Sequence, residues 1–400
     1  MERMTMKRAP RNFAVLSLCL LLAACFASLA AYSRQGQQQP ARPADYVGDE
    51  KCISCHQDKK RFWETAHHLT SRLPTEDSIA GKFTEGANLF RTANPDLYYK
   101  MERTKDGFYQ SAVLGVHPNT ASLSRRIDLV VGSARKGQTY LYWGKNDRLL
   151  QLPVSYWVAP GKWANSPGFM DEDINFGRPV TARCLECHAS YFEQVTERGV
   201  VNRYNRSNYI LGISCERCHG PGREHVARQL PQAAKSSGQA IINLSKLSRD
   251  RQIEACALCH AGVGASKAPP FSYVPGKPLS DYLTLASPDP GAAIDVHGNQ
   301  VALLERSRCF QASAMTCSTC HDVHLPQRNA AAFSRNCLAC HKVENCGLHK
   351  KMGDKIAENC VDCHMPKLTS NAIVSTTAGG SLQPQVRTHW IKVYPETGKP

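Results

Sequence analysis

Cys52-Ile53-Ser54-Cys55-His56 is the stretch that decides how this chain folds, because its pattern, Cys-x-x-Cys-His, returns six more times. The repeats are CLECH at 184–188, CERCH at 215–219, CALCH at 256–260, CSTCH at 317–321, CLACH at 337–341 and CVDCH at 360–364. Together the seven pentads take up fourteen of the 18 cysteines and seven of the 15 histidines. A constant two-residue gap sets two thiols one helical turn apart on one face, where they reach the two vinyl groups on one edge of a porphyrin; the adjacent histidine turns under the ring to bind iron. This is the attachment signature of c-type haem. The expected thioether residues are Cys52, Cys55, Cys184, Cys187, Cys215, Cys218, Cys256, Cys259, Cys317, Cys320, Cys337, Cys340, Cys360 and Cys363. The expected proximal iron ligands are His56, His188, His219, His260, His321, His341 and His364. Zinc ribbons also use paired Cys-x-x-Cys, but zinc requires no histidine at the next position in every copy. Disulfides explain neither the gap nor the histidine.

Seven covalently attached haem c groups also account for the composition. Aromatic residues are only 8% of 400, a thin supply of core material for this length, and porphyrins fill what side chains do not. The formal net charge of +15 would ordinarily suggest nucleic acid or an anionic membrane. About fourteen haem propionates, two per haem, neutralise much of that excess inside the molecule, so no nucleic-acid partner is expected.

The first twelve residues carry Arg3, Lys7, Arg8 and Arg11 against Glu2, and an uncharged apolar run follows from Phe13 to Ala31. That is an export signal. Lipidation at Cys25, in Leu22-Ala23-Ala24-Cys25, cleavage after Ala30, and retention as an uncleaved anchor all remain open. Each puts the remainder in the periplasm or otherwise outside the cytoplasm, tethered to the membrane in two of the three cases. The glutamine- and proline-rich stretch within 32–45 reads as a flexible tether.

Haems of this kind take a second axial ligand, and bis-His coordination gives the low-spin, low-potential iron suited to electron transfer. Eight histidines lie outside the pentads. His225 and His324 follow closely after a pentad in turn-rich sequence and lead the candidates, followed by His297, His389, and one or both of His67 and His68. His117 and His349 are weaker. Met315, Met352 and Met365 are more simply packing residues. Cys309 and Cys346, left over once the pentads and Cys19 and Cys25 of the export segment are set aside, are candidates for a disulfide in an oxidising compartment, with two separate thiols as the alternative.

These residues carry a family resemblance. Tyr46-Val47-Gly48-Asp49-Glu50-Lys51 before CISCH, the CHGPGREH segment at 218–225, the run VHGNQVALLERSRCFQASAMTCSTCHDVH at 296–324 and CVDCHMP at 360–366 resemble multihaem cytochromes of the cytochrome c-554 family. The resemblance implies a multihaem cytochrome fold of mainly short helices and long loops wrapped around stacked haems. The four-haem relatives carry fewer haems, and one of theirs has an open coordination site.

Patterning along the chain divides it into a signal or anchor (1–31), the tether (32–45), a first haem segment (46–75), a small β-rich insert (76–180) and a six-haem core (181–400). The insert is read from Ile127–Val131, Gln138–Trp143 and Leu149–Val154, runs of β-formers separated by glycines. Helices are expected at 57–70 and 248–260, and draping loops at 265–300 and 366–400. The aromatics Tyr140, Tyr142, Trp143, Tyr156, Trp157 and Trp163 are read as the core of a small sheet rather than as a docking surface.

Function divides into two classes. An electron carrier would pass electrons along the haems between redox partner proteins, a quinol oxidase module or other cytochromes, in respiration. An oxidoreductase would act on nitrite, hydroxylamine, nitric oxide or tetrathionate at one haem with an open distal site. All seven motifs are ordinary, which favours the carrier.

Overall fold

The computed structural model describes residues 45–170, 174–229, 240–285 and 299–394. The export segment, most of the tether, Cys25 and His297 lie outside the described residues.

The chain enters through a short helix, Asp49–Ile53, that runs into the first pentad. The helix expected over 57–70 forms as two 3-10 stretches, Gln57–Glu64 and His68–Thr70. Thr65 breaks them apart: its hydroxyl donates to the Phe62 carbonyl at 2.7 Å and accepts the His68 N–H at 3.3 Å, ending one helix and opening the next.

Strands dominate the next hundred residues. A four-stranded antiparallel sheet runs in order β2 (Leu89–Arg91), β3 (Leu97–Thr104), β4 (Gly107–Val116), β5 (Asn119–Arg126). A second, seven-stranded sheet is built on β1 (Ser71–Arg72), β6 (Leu129–Val131), β7 (Gly137–Trp143), β8 (Leu149–Gln151) and β11 (Arg178–Pro179), with β9 (Val154–Trp157) bridging β7 and β10 (Lys162–Asn165). The period of two along β3 turns Leu97, Tyr99 and Met101 inward. They meet Tyr140, Tyr142, Tyr156 and Trp163 of the other sheet in one apolar cluster. Gln110 pins the sheets together at the centre, donating to the Val154 carbonyl at 2.7 Å and accepting its N–H at 3.2 Å.

The seven-stranded sheet is buried on both faces, which is why Tyr140-Leu141-Tyr142 reads as an unbroken apolar run. Leu129, Leu141 and Leu149 point away from the first cluster into a second one, against Leu185 of the pentad helix Ala182–His188 and Phe192 and Tyr204 of a hairpin. That hairpin pairs β12 (Ala189–Gln194) with β13 (Tyr204–Leu211). The β-structure is therefore larger than a small insert, and it continues past residue 180 into the region of the second pentad. The fold is a mixture of helices and many strands rather than mainly helical.

Beyond residue 212 the elements are short. The expected helix at 248–260 forms as Arg249–His260, capped by the Ser248 hydroxyl. Within 265–285 and 366–394, read as loops, three small hairpins form: Ala265–Ser266 with Leu283–Thr284, Lys367–Thr369 with Gln385–Arg387, and Ser375–Thr377 with Gly380–Leu382. Among the described residues past 300, the buried apolar side chains are Leu303, Phe310, Val361, Pro366 and Pro384, far too few to hold that region by themselves.

Candidate functional site

Each pentad is one turn of helix. Four lie in α-helical segments, Ala182–His188, Cys215–His219, Arg249–His260 and Cys360–His364. In the other three the histidine N–H donates to the carbonyl of the first cysteine, His56 to Cys52 at 2.9 Å, His321 to Cys317 at 2.9 Å and His341 to Cys337 at 3.0 Å. All seven thiol pairs thus share one helix face with a histidine immediately after.

Four histidines outside the pentads stand opposite four inside them. Ring centres are 6.3 Å apart for His56 and His225, 6.1 Å for His219 and His324, 6.2 Å for His321 and His389, and 6.0 Å for His67 and His260. An iron–nitrogen bond of about 2.0 Å, plus roughly 1.1 Å from nitrogen to ring centre, on both sides of a metal gives about 6.2 Å. The pairs therefore fit a bis-His iron. The first three are nearly parallel, at 21°, 19° and 29°, and the His67–His260 pair is crossed at 85°. Burial pushes both His67 and His389 down to about 4, which favours the neutral imidazole that iron ligation would require.

Three of the rings expected to be proximal are oriented through Nδ1. His219 Nδ1 donates to the Ile242 carbonyl at 2.8 Å and His364 Nδ1 to the Lys392 carbonyl at 2.9 Å, leaving Nε2 for metal. His188 Nδ1 shares a hydrogen bond with the Thr70 hydroxyl at 3.0 Å. Sequence reading missed these acceptors. Two are backbone carbonyls, for which no residue type is a signal.

The pentads touch one another. The segments that carry Cys52 and Cys215, Cys187 and Cys259, and Cys256 and Cys317 pack directly against one another. The Cys360 N–H donates to Ser334, in the helix Ala330–Leu338 that leads into the sixth pentad.

The remaining candidates fall elsewhere. His68 lies against Phe62 and Trp63, with its Nδ1 3.4 Å from Asp49. Burial alone would raise the Asp49 carboxyl, but the neighbouring His68 ring and the hydrogen bond from the Cys215 N–H hold it below the usual carboxylate range. His117 is exposed at the turn between β4 and β5. His349 shares a 2.8 Å hydrogen bond with Asp354. Cys309 and Cys346, the expected disulfide pair, carry no disulfide in this structure; Cys309 lies near Cys320 and Cys337, and Cys346 near Cys363.

Buried donors without partners test the fit independently. Arg72 Nε and Nη2, Arg217 Nε and Trp63 Nε1 have no hydrogen-bond partner, although a buried guanidinium is costly unless an anion meets it. Haem propionates are anions of the required kind, and a porphyrin carries them to the interior. No helix of the described residues is long and apolar enough to cross a membrane.

Residues 169–220, covering the second and third pentads, match the family model for cytochrome c554 and c-prime. Over 91 residues, 22% of this chain and 11% of the other, the sequence is 32% identical to the C-type polyheme cytochrome OmcC of Geobacter sulfurreducens. Over 328 residues, 70% of this chain and 42% of the other, it is 23% identical to the dissimilatory sulfite reductase MccA of Wolinella succinogenes. The chain thus spans less than half the length of either of these curated relatives. Among solved structures, an undecaheme cytochrome from the S-layer of Carboxydothermus ferrireducens aligns with 91% of this chain and 54% of its own, at 17% identity and a TM-score of 0.41.

Proposed function

We propose that this chain, a multihaem c-type cytochrome, carries seven haem c groups and passes electrons along them, outside the cytoplasm, between redox partner proteins of a respiratory pathway. The observation that carries the reading is the set of four histidine pairs at 6.0–6.3 Å, each joining an attachment pentad to a histidine from a different segment. Two imidazoles close an iron to small ligands and leave outer-sphere electron transfer as its chemistry. Contacts between pentads support short steps from one haem to the next.

The test is a count followed by a spectrum. Intact mass and a pyridine haemochrome ratio should give seven haems per chain, and paramagnetic resonance of the oxidised protein should be dominated by low-spin signals. Fewer than seven haems, or mostly high-spin iron, would overturn it.

A second reading, an oxidoreductase for a small sulfur or nitrogen compound, is favoured by the similarity to a sulfite reductase over 70% of this chain. It predicts one high-spin haem per molecule whose signal moves on adding sulfite or nitrite. A spectrum indifferent to both ligands rejects it.

A further inference from the structure

Glu216 is the second residue of CERCH, a position that neither thioether formation nor iron ligation uses. It is nonetheless only 2% exposed. Its Oε1 accepts the N–H of Val47 at 2.8 Å and of Gly222 at 2.8 Å, and its Oε2 accepts the N–H of Gly48 at 3.0 Å. A buried carboxylate holding three backbone donors is a strong, charge-assisted junction.

What the three donors belong to gives the junction its meaning. Gly48 immediately precedes the helix Asp49–Ile53, which runs into Cys52–His56. Gly222 immediately precedes the helix Arg223–Arg228, which carries His225. His56 and His225 are the two rings facing each other at 6.3 Å. One carboxylate, supplied by the third pentad, therefore holds the starts of both elements that bring ligands to the first iron. The approach leaves no room for a side chain at Gly222: a Cβ there would lie 2.8 Å from Val47 Cγ2 and 3.1 Å from Glu216 Oε1. Two further bonds tie the same strip together, from the Arg223 N–H to the Asp45 carbonyl at 3.0 Å and from the Cys215 N–H to Asp49 at 2.9 Å.

We infer that Glu216 is a positioning residue for the haem attached at Cys52 and Cys55: it sets the His56–His225 separation and so keeps that iron six-coordinate. The inference rests on the part of the proposed function that attaches a haem at the first pentad and gives it His56 and His225 as axial ligands, and not on the count of seven.

The test uses the reduced, fully loaded cytochrome and carbon monoxide, which binds ferrous haem only where an axial position is open. Glu216→Ala should take up one more carbon monoxide per chain than the native protein, with an unchanged haem count. His225→Ala should do the same, and the double variant should still gain only one. Native carbon monoxide uptake in Glu216→Ala, or a gain of two in the double variant, overturns the inference. If Glu216→Ala does not mature, Glu216→Gln replaces it: the shape is kept, but an amide NH2 faces one of the three N–H groups. Fractional extra uptake is then expected, and native uptake overturns the inference. Haem counting separates the two failures. Fewer than seven haems in the native protein counts against the proposed function, whereas seven haems with unaltered carbon monoxide uptake in the variants counts against Glu216 alone.

Discussion

His67 and His68 are adjacent, identical in type and indistinguishable by spacing, yet the structure gives them different surroundings. His67 faces His260 with ring centres 6.0 Å apart, and His68 turns to Asp49. Thr65 makes the difference by breaking the 3-10 helix just before them, and the Ile213 N–H, donating to the His67 carbonyl at 3.0 Å, holds the turn in place. His67→Ala should therefore open one haem, seen as a new high-spin signal in the oxidised protein, while His68→Ala should leave the spin states unaltered. Because the His67–His260 planes are crossed and the other three pairs are nearly parallel, the low-spin signal lost in His67→Ala should differ from those that stay. A high-spin signal in His68→Ala but not His67→Ala would reverse the assignment. The pentads themselves were fully legible, because thioether chemistry demands contiguous residues. Distal ligands were legible only as a pool, since an iron is approached across space.

At the level of elements, the sheets owe their stability to side chains rather than to cofactor. Trp163 packs edge-on against Phe83 and Tyr156, and its indole N–H donates to the Ala87 carbonyl at 3.0 Å. Its ring comes so near Gly81 that a Cβ there would lie 2.2 Å away. Trp163→Ala should cost about 3–5 kcal/mol, read as a lowered midpoint of chemical unfolding, while the Soret and low-spin signals of the folded protein stay native. Loss of a haem ligand in this variant would mean the sheets also hold iron sites. The three strand runs over 127–154 were legible from their alternation and glycine punctuation. The extent of the β-structure was not, since β12 and β13 and the face against Leu185 depend on packing between segments far apart in sequence. Of the six aromatics expected in the core, Tyr140, Tyr142, Tyr156 and Trp163 are buried, whereas Trp143 and Trp157 are half-buried.

Across the whole molecule the two kinds of core differ in kind. The sheets bury continuous apolar clusters, whereas the described residues past 300 bury only Leu303, Phe310, Val361, Pro366 and Pro384 among their apolar side chains. That second region holds three of the seven pentads, and its segments meet through polar groups, Ser307, Ser334 and Arg387 among them, and through the His321–His389 pair rather than through a continuous apolar core. Folding there should be coupled to cofactor attachment, as in other proteins whose ligand sites form only with their metal. Made in cells that cannot attach haem, the chain should be cut by protease first within 300–394, with the 89–165 sheets protected longest. Uniform resistance across both regions would show that side chains alone suffice.

Sequence by itself determined the seven pentads, with the cysteines and histidines expected to attach and ligate haem, and a basic excess suited to acidic cofactors, all written in contiguous residues or in composition. Tertiary structure alone decided which imidazole faces which, that a carboxylate inside one pentad anchors both ligand-bearing helices of another, and that the sheets close on a pentad helix. Those are relations between segments up to 193 residues apart, as with His67 and His260, and they form only when the chain doubles back on itself. A covalent link needs neighbours in sequence; an axial ligand or an interface needs only neighbours in space.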